Sequence, residues 1–256
     1  MSYDIVVGVG CSFMNGDCIL DIDGNWIGKH HQPQKYLSEE LGCDFVNLAR
    51  TGASNERIFI SIYDWVESNT EYKNPLFIIG LTALPRMLIR NDKQKTYFDL
   101  HPHSFYDYTK EGMNKKNLQV SNGLANLKDF TNWGKFYMKW IYNQNLEMKK
   151  LQRNVMMLHH YLKGNNCDYR IHNSLEDFLG DIKDKINYIS FKDETYNGHD
   201  TWRDYLTWQL ESVDEFNFND YANRSDKPPH GLRFCLGHPS PNANKEFAQR
   251  IHRSLK

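Results

Sequence analysis

Apolar residues fall into two kinds of pattern along this chain. The first is a short unbroken block: Ile5-Val6-Val7-Gly8-Val9, then Phe45-Val46 within Asp44–Leu48, then Leu76-Phe77-Ile78-Ile79 within Pro75–Leu81. The first block, rich in β-branched residues, suits a strand buried on both faces of a parallel sheet, and the other two read as further strands. The second pattern recurs every three or four residues. It predicts a short helix over Gln34–Leu41, with Gly42 well placed as its C′ residue. It also predicts an amphipathic helix over Glu56–Ser68, with Ile58, Ile62 and Trp65 on one stripe. The order β-α-β-α-β argues for a parallel sheet with helices on its faces.

From Asn91 to Asn132 that rhythm stops. The segment is polar and rich in lysine, asparagine and histidine, and reads as an insertion at about 91–132 over one face of the sheet. Trp133, Phe136, Trp140, Met148, Leu151, Val155, Leu158 and Leu162 then recur at helical spacing. They predict one helix over Trp133–Leu162, about 45 Å long, with its aromatic stripe in the core. A fourth strand over Asp168–Ile171, a helix over Leu175–Ile186, a fifth strand over Tyr188–Phe191 and a helix over His199–Leu210 follow. Glu211–Leu236 reads as loop. The last element is a helix over Pro241–Leu255, with Ser240 as N-cap and Pro241 at its first position. The expected architecture is one domain over residues 1–256. It is α/β: a three-layer α/β/α sandwich around a flavodoxin-like parallel sheet of about five strands, with the insertion attached.

Composition narrows the function classes. With 31 lysines and arginines against 32 aspartates and glutamates, the net charge of −1 leaves no nucleic-acid footprint. No apolar run approaches the length of a membrane span, so no membrane partner is expected. Five cysteines (11, 18, 43, 167, 235) are scattered without a C-x-x-C pair, matching neither a disulfide framework nor a zinc site. They read as reduced thiols of a cytoplasmic setting, and no signal peptide is expected ahead of the first strand. The pairs His30-His31, His101/His103 and His159-His160 lack acidic partners at ligand spacing, so no metal is expected. Aromatics reach 14%, which suits core packing or a carbohydrate-facing groove.

Candidate chemistry sits where strands end. The first strand breaks into Gly8-Val9-Gly10-Cys11-Ser12-Phe13-Met14-Asn15-Gly16, whose three glycines permit a tight turn. Ser12 therefore lies just past the carboxyl end of that strand, the edge at which open α/β sheets bind ligands. It can present its hydroxyl and its own N–H to a substrate, or it can simply cap the next segment. At the far end, Gly237-His238-Pro239 precedes the last helix and can bring His238 to the same edge, or His238 can be a capping or core residue. A serine hydroxyl needs such a base to act as a nucleophile.

These blocks resemble the SGNH (GDSL-like) hydrolase family, three-layer α/β/α esterases. Gly10-Cys11-Ser12-Phe13 looks like the family's first block, which implies Ser12 as nucleophile. Asn47-Leu48-Ala49-Arg50-Thr51-Gly52 looks like the second, which implies an oxyanion-hole N–H at Gly52; a plain turn glycine is the alternative. Gly80-Leu81-Thr82-Ala83 occupies the third, and Gly237-His238-Pro239 looks like the fifth, which implies His238 as base. Two positions depart from the pattern. Thr82 stands where the family has an oxyanion-hole asparagine, and a purely structural threonine is the simpler reading; Asn55, a turn after Gly52, is a substitute donor. Cys235 stands where the family has the aspartate that orients the histidine. Ser12 and His238 then act as a dyad, or Asp226 or Asp220 supplies the acid.

The implied reaction is acyl transfer from a small-molecule or carbohydrate ester to water, with no metal or organic cofactor required. The alternative is a catalytically inactive protein of the same fold, acting as a binding or structural/assembly component; the insertion suits either reading, as a substrate lid or as a surface for a protein partner. An open Ser12 within reach of His238 favours the first, and a buried Ser12 the second.

Overall fold

The computed structural model describes residues 2–17, 19–20, 27–91, 96–100, 127–194, 196–211, 233–234 and 239–256. Its centre is β1 (Ile5–Val9), which pairs in parallel with β3 (Asp44–Asn47) on one side and β4 (Pro75–Leu81) on the other. β4 in turn pairs in parallel with β7 (Asp168–Asn173). The sheet order β3-β1-β4-β7 reverses direction between β1 and β4. In a doubly wound sheet that reversal opens a crevice at the strands' carboxyl ends.

Every residue of β1 and β4 is buried, as the unbroken apolar blocks require. Alternate residues face opposite layers. Ile5, Val7, Val9, Phe77, Ile79 and Leu81 pack against Ile58, Ile62 and Trp65 of α3 (Asn55–Ser68) and Leu151, Val155, Leu158 and Leu162 of α5 (Gln144–Gly164). On the other face, Val6, Leu76 and Ile78 meet Leu37 of α2 (Pro33–Leu41), Trp202 and Tyr205 of α6 (Trp202–Glu211), and Phe247, Ala248 and Ile251 of α7 (Pro241–Ser254). The protein is thus α/β, a parallel four-stranded sheet between two helical layers. Two ends follow local rules read from sequence. Gly42 closes α2 at φ 68°, and Ser240 caps α7 by accepting from the Ala243 N–H.

Elsewhere the structure departs from the pattern-based expectation. An antiparallel hairpin, β5 (Met87–Asn91) and β6 (Thr96–Leu100), spans the expected start of the insertion. The single long helix is two, α4 (Leu127–Phe136) and α5, joined by a π-helical turn over Tyr137–Ile141. Tyr142 is extended at ψ 126°, and the Asn143 side chain caps α5 by accepting from the Leu146 N–H. A π turn adds a residue and rotates the apolar stripe. Tyr137 is therefore buried, while Phe136 and Trp140, expected in the core, are 55% and 69% exposed.

The helix expected over Leu175–Ile186 is only a 3₁₀ turn over Gly180–Lys185, although Leu179 is buried. The fifth strand reduces to one parallel bridge between Ile171 and Tyr188. Inside the stretch read as loop, β8 (Arg233–Phe234) pairs antiparallel with β2 (Ile19–Leu20). No helix among the described residues is long and apolar enough to cross a membrane, and none of their His, Cys, Asp and Glu side chains form a metal-holding group.

Candidate functional site

Ser12 opens α1 (Ser12–Asn15), a single helical turn set immediately beyond β1. The Met14 and Asn15 N–H groups both donate to the Cys11 carbonyl at 3.1 Å, and Gly16 closes the turn at φ 70°. Gly10 makes the exit from the strand possible. A Cβ there would lie 2.6 Å from Met14 Cγ and 3.1 Å from the Gly80 carbonyl oxygen. The serine turn is therefore pressed against the end of β4, at the crevice where the strand order reverses. Ser12 itself is 8% exposed.

The loop after β3 runs alongside. The Leu48 N–H donates to the Gly8 carbonyl at 2.8 Å and the Arg50 N–H to the Gly10 carbonyl at 3.0 Å, extending the β1–β3 pairing past the strand. The chain then turns, with the Ala53 N–H donating to the Arg50 carbonyl at 3.0 Å. Gly52 occupies the third position of that turn at φ 72°, a conformation that favours glycine. Gly52 thus has a backbone reason to be glycine, and its loop lies beside the Ser12 turn.

Thr82 follows β4 and is 1% exposed. Its hydroxyl is buried without a hydrogen-bond partner among the described residues. Asn55, at the first position of α3, spends its carboxamide on the Thr82 backbone: Oδ1 accepts from the Thr82 N–H at 2.9 Å, and Nδ2 donates to the Thr82 carbonyl at 3.0 Å. One Nδ2 hydrogen of Asn55 lies outside that pair. Sequence reasoning brought Ser12, Gly52, Thr82 and Asn55 to one edge of the sheet; Ser12 and Thr82 follow paired strands β1 and β4 directly, the Arg50–Gly10 bond brings the Gly52 loop beside them, and Asn55 is bonded to Thr82. His238, Cys235, Asp220 and Asp226 lie outside the described residues.

Several residues around this edge had no signal in the sequence. Asp99 on β6 accepts from the Ser54 N–H at 2.8 Å, the Ser54 hydroxyl at 2.7 Å and Arg57 Nε at 3.0 Å, tying the hairpin to the start of α3. Asn15 and Asp17 accept hydrogen bonds across from the second loop, from Asn47 Nδ2 and the Thr51 hydroxyl. His172 on β7 is fully buried beneath the site. Burial disfavours its imidazolium and lowers its pKa to about 3. Its Nε2 lies 3.3 Å from the Ser174 hydroxyl, and its Cε1 would be 3.1 Å from a Cβ on Gly80. A groove of about 490 Å³ runs between α3, α5 and β5, lined by Phe59, Ile60, Tyr63, Leu88 and Met157 among others. Ser12 does not line it.

No protein-family model and no curated protein sequence matches the chain. Solved structures that resemble it in outline include the following three. One is a protein assigned to the lipolytic G-D-S-L family from Desulfitobacterium hafniense DCB-2, at 10% identity and a TM-score of 0.40, covering 98% of this chain and 99% of its own. Another is a carbohydrate esterase whose active site is described as displaying divergent catalytic and non-catalytic binding functions. Its identity is 11% and its TM-score 0.45, over 99% of this chain and 69% of its own. The third is the psychrotrophic esterase EstA from Pseudoalteromonas sp., inhibited by monoethylphosphonate, at 12% identity and a TM-score of 0.38, covering 98% and 96%. At such scores, the reading of the site rests on this chain's own strands and side chains.

Proposed function

We propose that this protein is a serine ester hydrolase of SGNH type, acting on a small ester or an acylated carbohydrate. The observation that carries the reading is the position of Ser12. It sits on a one-turn helix past β1, at the crevice between β1 and β4, with the Gly52 loop drawn alongside by the Arg50–Gly10 backbone bond. In the proposed reaction His238 takes the Ser12 proton as Oγ attacks the ester carbonyl. The N–H groups of Ser12 and Gly52 stabilise the oxyanion. The tetrahedral intermediate collapses to an acyl-serine with release of the alcohol, which takes up the proton from His238. Water, deprotonated by His238, then attacks the acyl-serine, and the acid leaves as Ser12 recovers its proton. The hydroxyl of Thr82 is buried and the Asn55 carboxamide is bonded to the Thr82 backbone, so a third oxyanion donor is the weak point. Loss of one such donor costs about a hundredfold or more in rate.

One observation favours a second reading, a non-catalytic binding protein on the same fold: Ser12 is only 8% exposed. Hydrolysis of p-nitrophenyl acetate by wild type and Ser12→Ala, prepared identically, decides between the two. Turnover that disappears in Ser12→Ala supports the hydrolase. Equal rates in both, repeated with acetylated sugars, exclude it and leave the binding protein.

A further inference from the structure

Two oxyanion donors on separate loops are useful only if the loops hold a constant separation, because a shift of about 1 Å can cost on the order of a hundredfold in rate. The Leu48 and Arg50 backbone bonds tether the second loop as far as residue 50. Gly52 lies two residues farther on. Side chains make the crossing from there. The Thr51 hydroxyl, on the residue next to Gly52, donates to Asp17 Oδ2. The other oxygen of the same carboxylate accepts from Asn15 Nδ2, at the end of the Ser12 turn, at 2.8 Å. Asn15 Oδ1 accepts from Asn47 Nδ2 at 2.8 Å, and Asn47 Oδ1 accepts from the Ala49 N–H at 3.0 Å. The circuit thus crosses between the loops twice and closes through backbone. Behind it, Gln32 Nε2 donates to the Asn15 carbonyl at 2.9 Å and Gln34 Nε2 to the Met14 carbonyl at 3.1 Å, anchoring the serine turn.

We infer that Asp17 is a positioning residue, whose carboxylate clamps the Ser12 turn to the Gly52 loop and so sets the spacing of the two N–H donors. This rests on the hydrolase reading above. A carboxylate suits the task because it is acceptor-only and has two oxygens, one for each loop. Asparagine would retain much of it, with Oδ1 accepting from Asn15 and Nδ2 donating to the Thr51 oxygen. Alanine would remove the Thr51 crossing next to Gly52 and leave only the Asn15–Asn47 one, farther back on the loop.

The test compares steady-state p-nitrophenyl acetate hydrolysis, well below the melting transition, for wild type, Ser12→Ala, Asp17→Ala, Asp17→Asn, Thr51→Val and the Asp17→Ala/Thr51→Val double variant. Asp17→Ala should lower kcat by about tenfold with KM changed less than about twofold, since the effect falls on a donor made useful only in the transition state. Asp17→Asn should recover most of that loss. The double variant should be no slower than the slower single one, because both changes break the same bridge. Thr51 is exposed, so Thr51→Val gives the same kcat reading if Asp17→Ala fails to fold. A merely structural Asp17 would lower the melting temperature and leave kcat at the wild-type value, which overturns the inference; so does a change confined to KM. A wild type without Ser12-dependent turnover overturns the hydrolase reading and takes the inference with it. A wild type that turns over, equalled by Asp17→Ala, removes the clamp alone.

Discussion

Acidification from pH 7.5 to 5.0 should destabilise this protein, and one buried side chain, His172, should supply about 2 kcal/mol of that loss. His172 is completely buried, ringed by Phe247, Trp202 and Phe191 at centroid distances of 4.7, 5.7 and 5.9 Å, all closer to perpendicular than to stacked. Its Nδ1 has no hydrogen-bond partner among the described residues. Burial lowers its pKa to about 3, from 6.5 for an unburied imidazole. The unfolded chain therefore binds a proton across that interval and the folded chain does not. The stability held by neutral His172 is complete above pH 6.5 and is lost progressively as the pH falls from 6.5 toward 3. At about 1.4 kcal/mol per pH unit, the loss between pH 7.5 and 5.0 is about 2 kcal/mol. Urea unfolding followed by tryptophan fluorescence, at both pH values, measures it for wild type and for His172→Leu. The leucine variant shifts absolute stability through repacking, so the quantity compared is each protein's own change with pH. His31 and His159 are also shifted down by burial, but they are present in both proteins and cancel. The variant should be less acid-sensitive by about 2 kcal/mol. Identical pH dependence in the two proteins would refute a neutral, buried His172.

Two further outcomes follow from the packing around the same edge. A methyl group on Gly80 would meet Ser174 Oγ at 2.8 Å, Met14 Cγ at 3.0 Å and His172 Cε1 at 3.1 Å, so Gly80→Ala should cost about 1–3 kcal/mol in urea unfolding. Adding Ser174→Ala, which removes the tightest contact, should recover part of that loss. Asn55→Ala removes both bonds to the Thr82 backbone at a buried position and should cost about 1–3 kcal/mol by the same assay. Asn55→Asp should not restore the loss, because it keeps the acceptor for the Thr82 N–H and turns a second oxygen toward the Thr82 carbonyl.

Sequence reading succeeded where a single local rule decides the structure. β1 and β4 are buried on both faces, and their composition says so without reference to any partner. Gly42 and Ser240 end and start helices by rules that involve only their own neighbours. It failed where two distant segments decide together. The pairing of Met87–Asn91 with Thr96–Leu100 has no alternating pattern to announce it, and the hairpin is tied by Asp99 to Ser54 and Arg57, more than forty residues earlier. The π turn at Tyr137–Ile141 is a different kind of failure. An apolar period read from Trp133 to Leu162 absorbs a slip of one residue without visible interruption, yet that slip moves Phe136 and Trp140 to the surface and brings Tyr137 inside.

The candidate site divides along the same line. That Ser12, Gly52 and Thr82 share an edge follows from strand order alone, since each lies just beyond a parallel strand of one sheet. What each side chain does there depends on register, which order does not specify. Asn55 illustrates the difference: its spacing after Gly52 allowed it to face a substrate, and the approach of α3 to the end of β4 pairs its carboxamide with the Thr82 backbone, with one Nδ2 hydrogen outside that pair. With Thr82 buried and Asn55 so engaged, the proposed hydrolase would depend for oxyanion stabilisation chiefly on two backbone N–H groups, at Ser12 and Gly52. Backbone donors cannot be removed by substitution, but they can be displaced, and the contacts that would displace them belong to Asn15, Asn47, Thr51 and Asp17. The rate of a hydrolase built this way should therefore respond more to those polar side chains than to replacing the hydroxyl of Thr82.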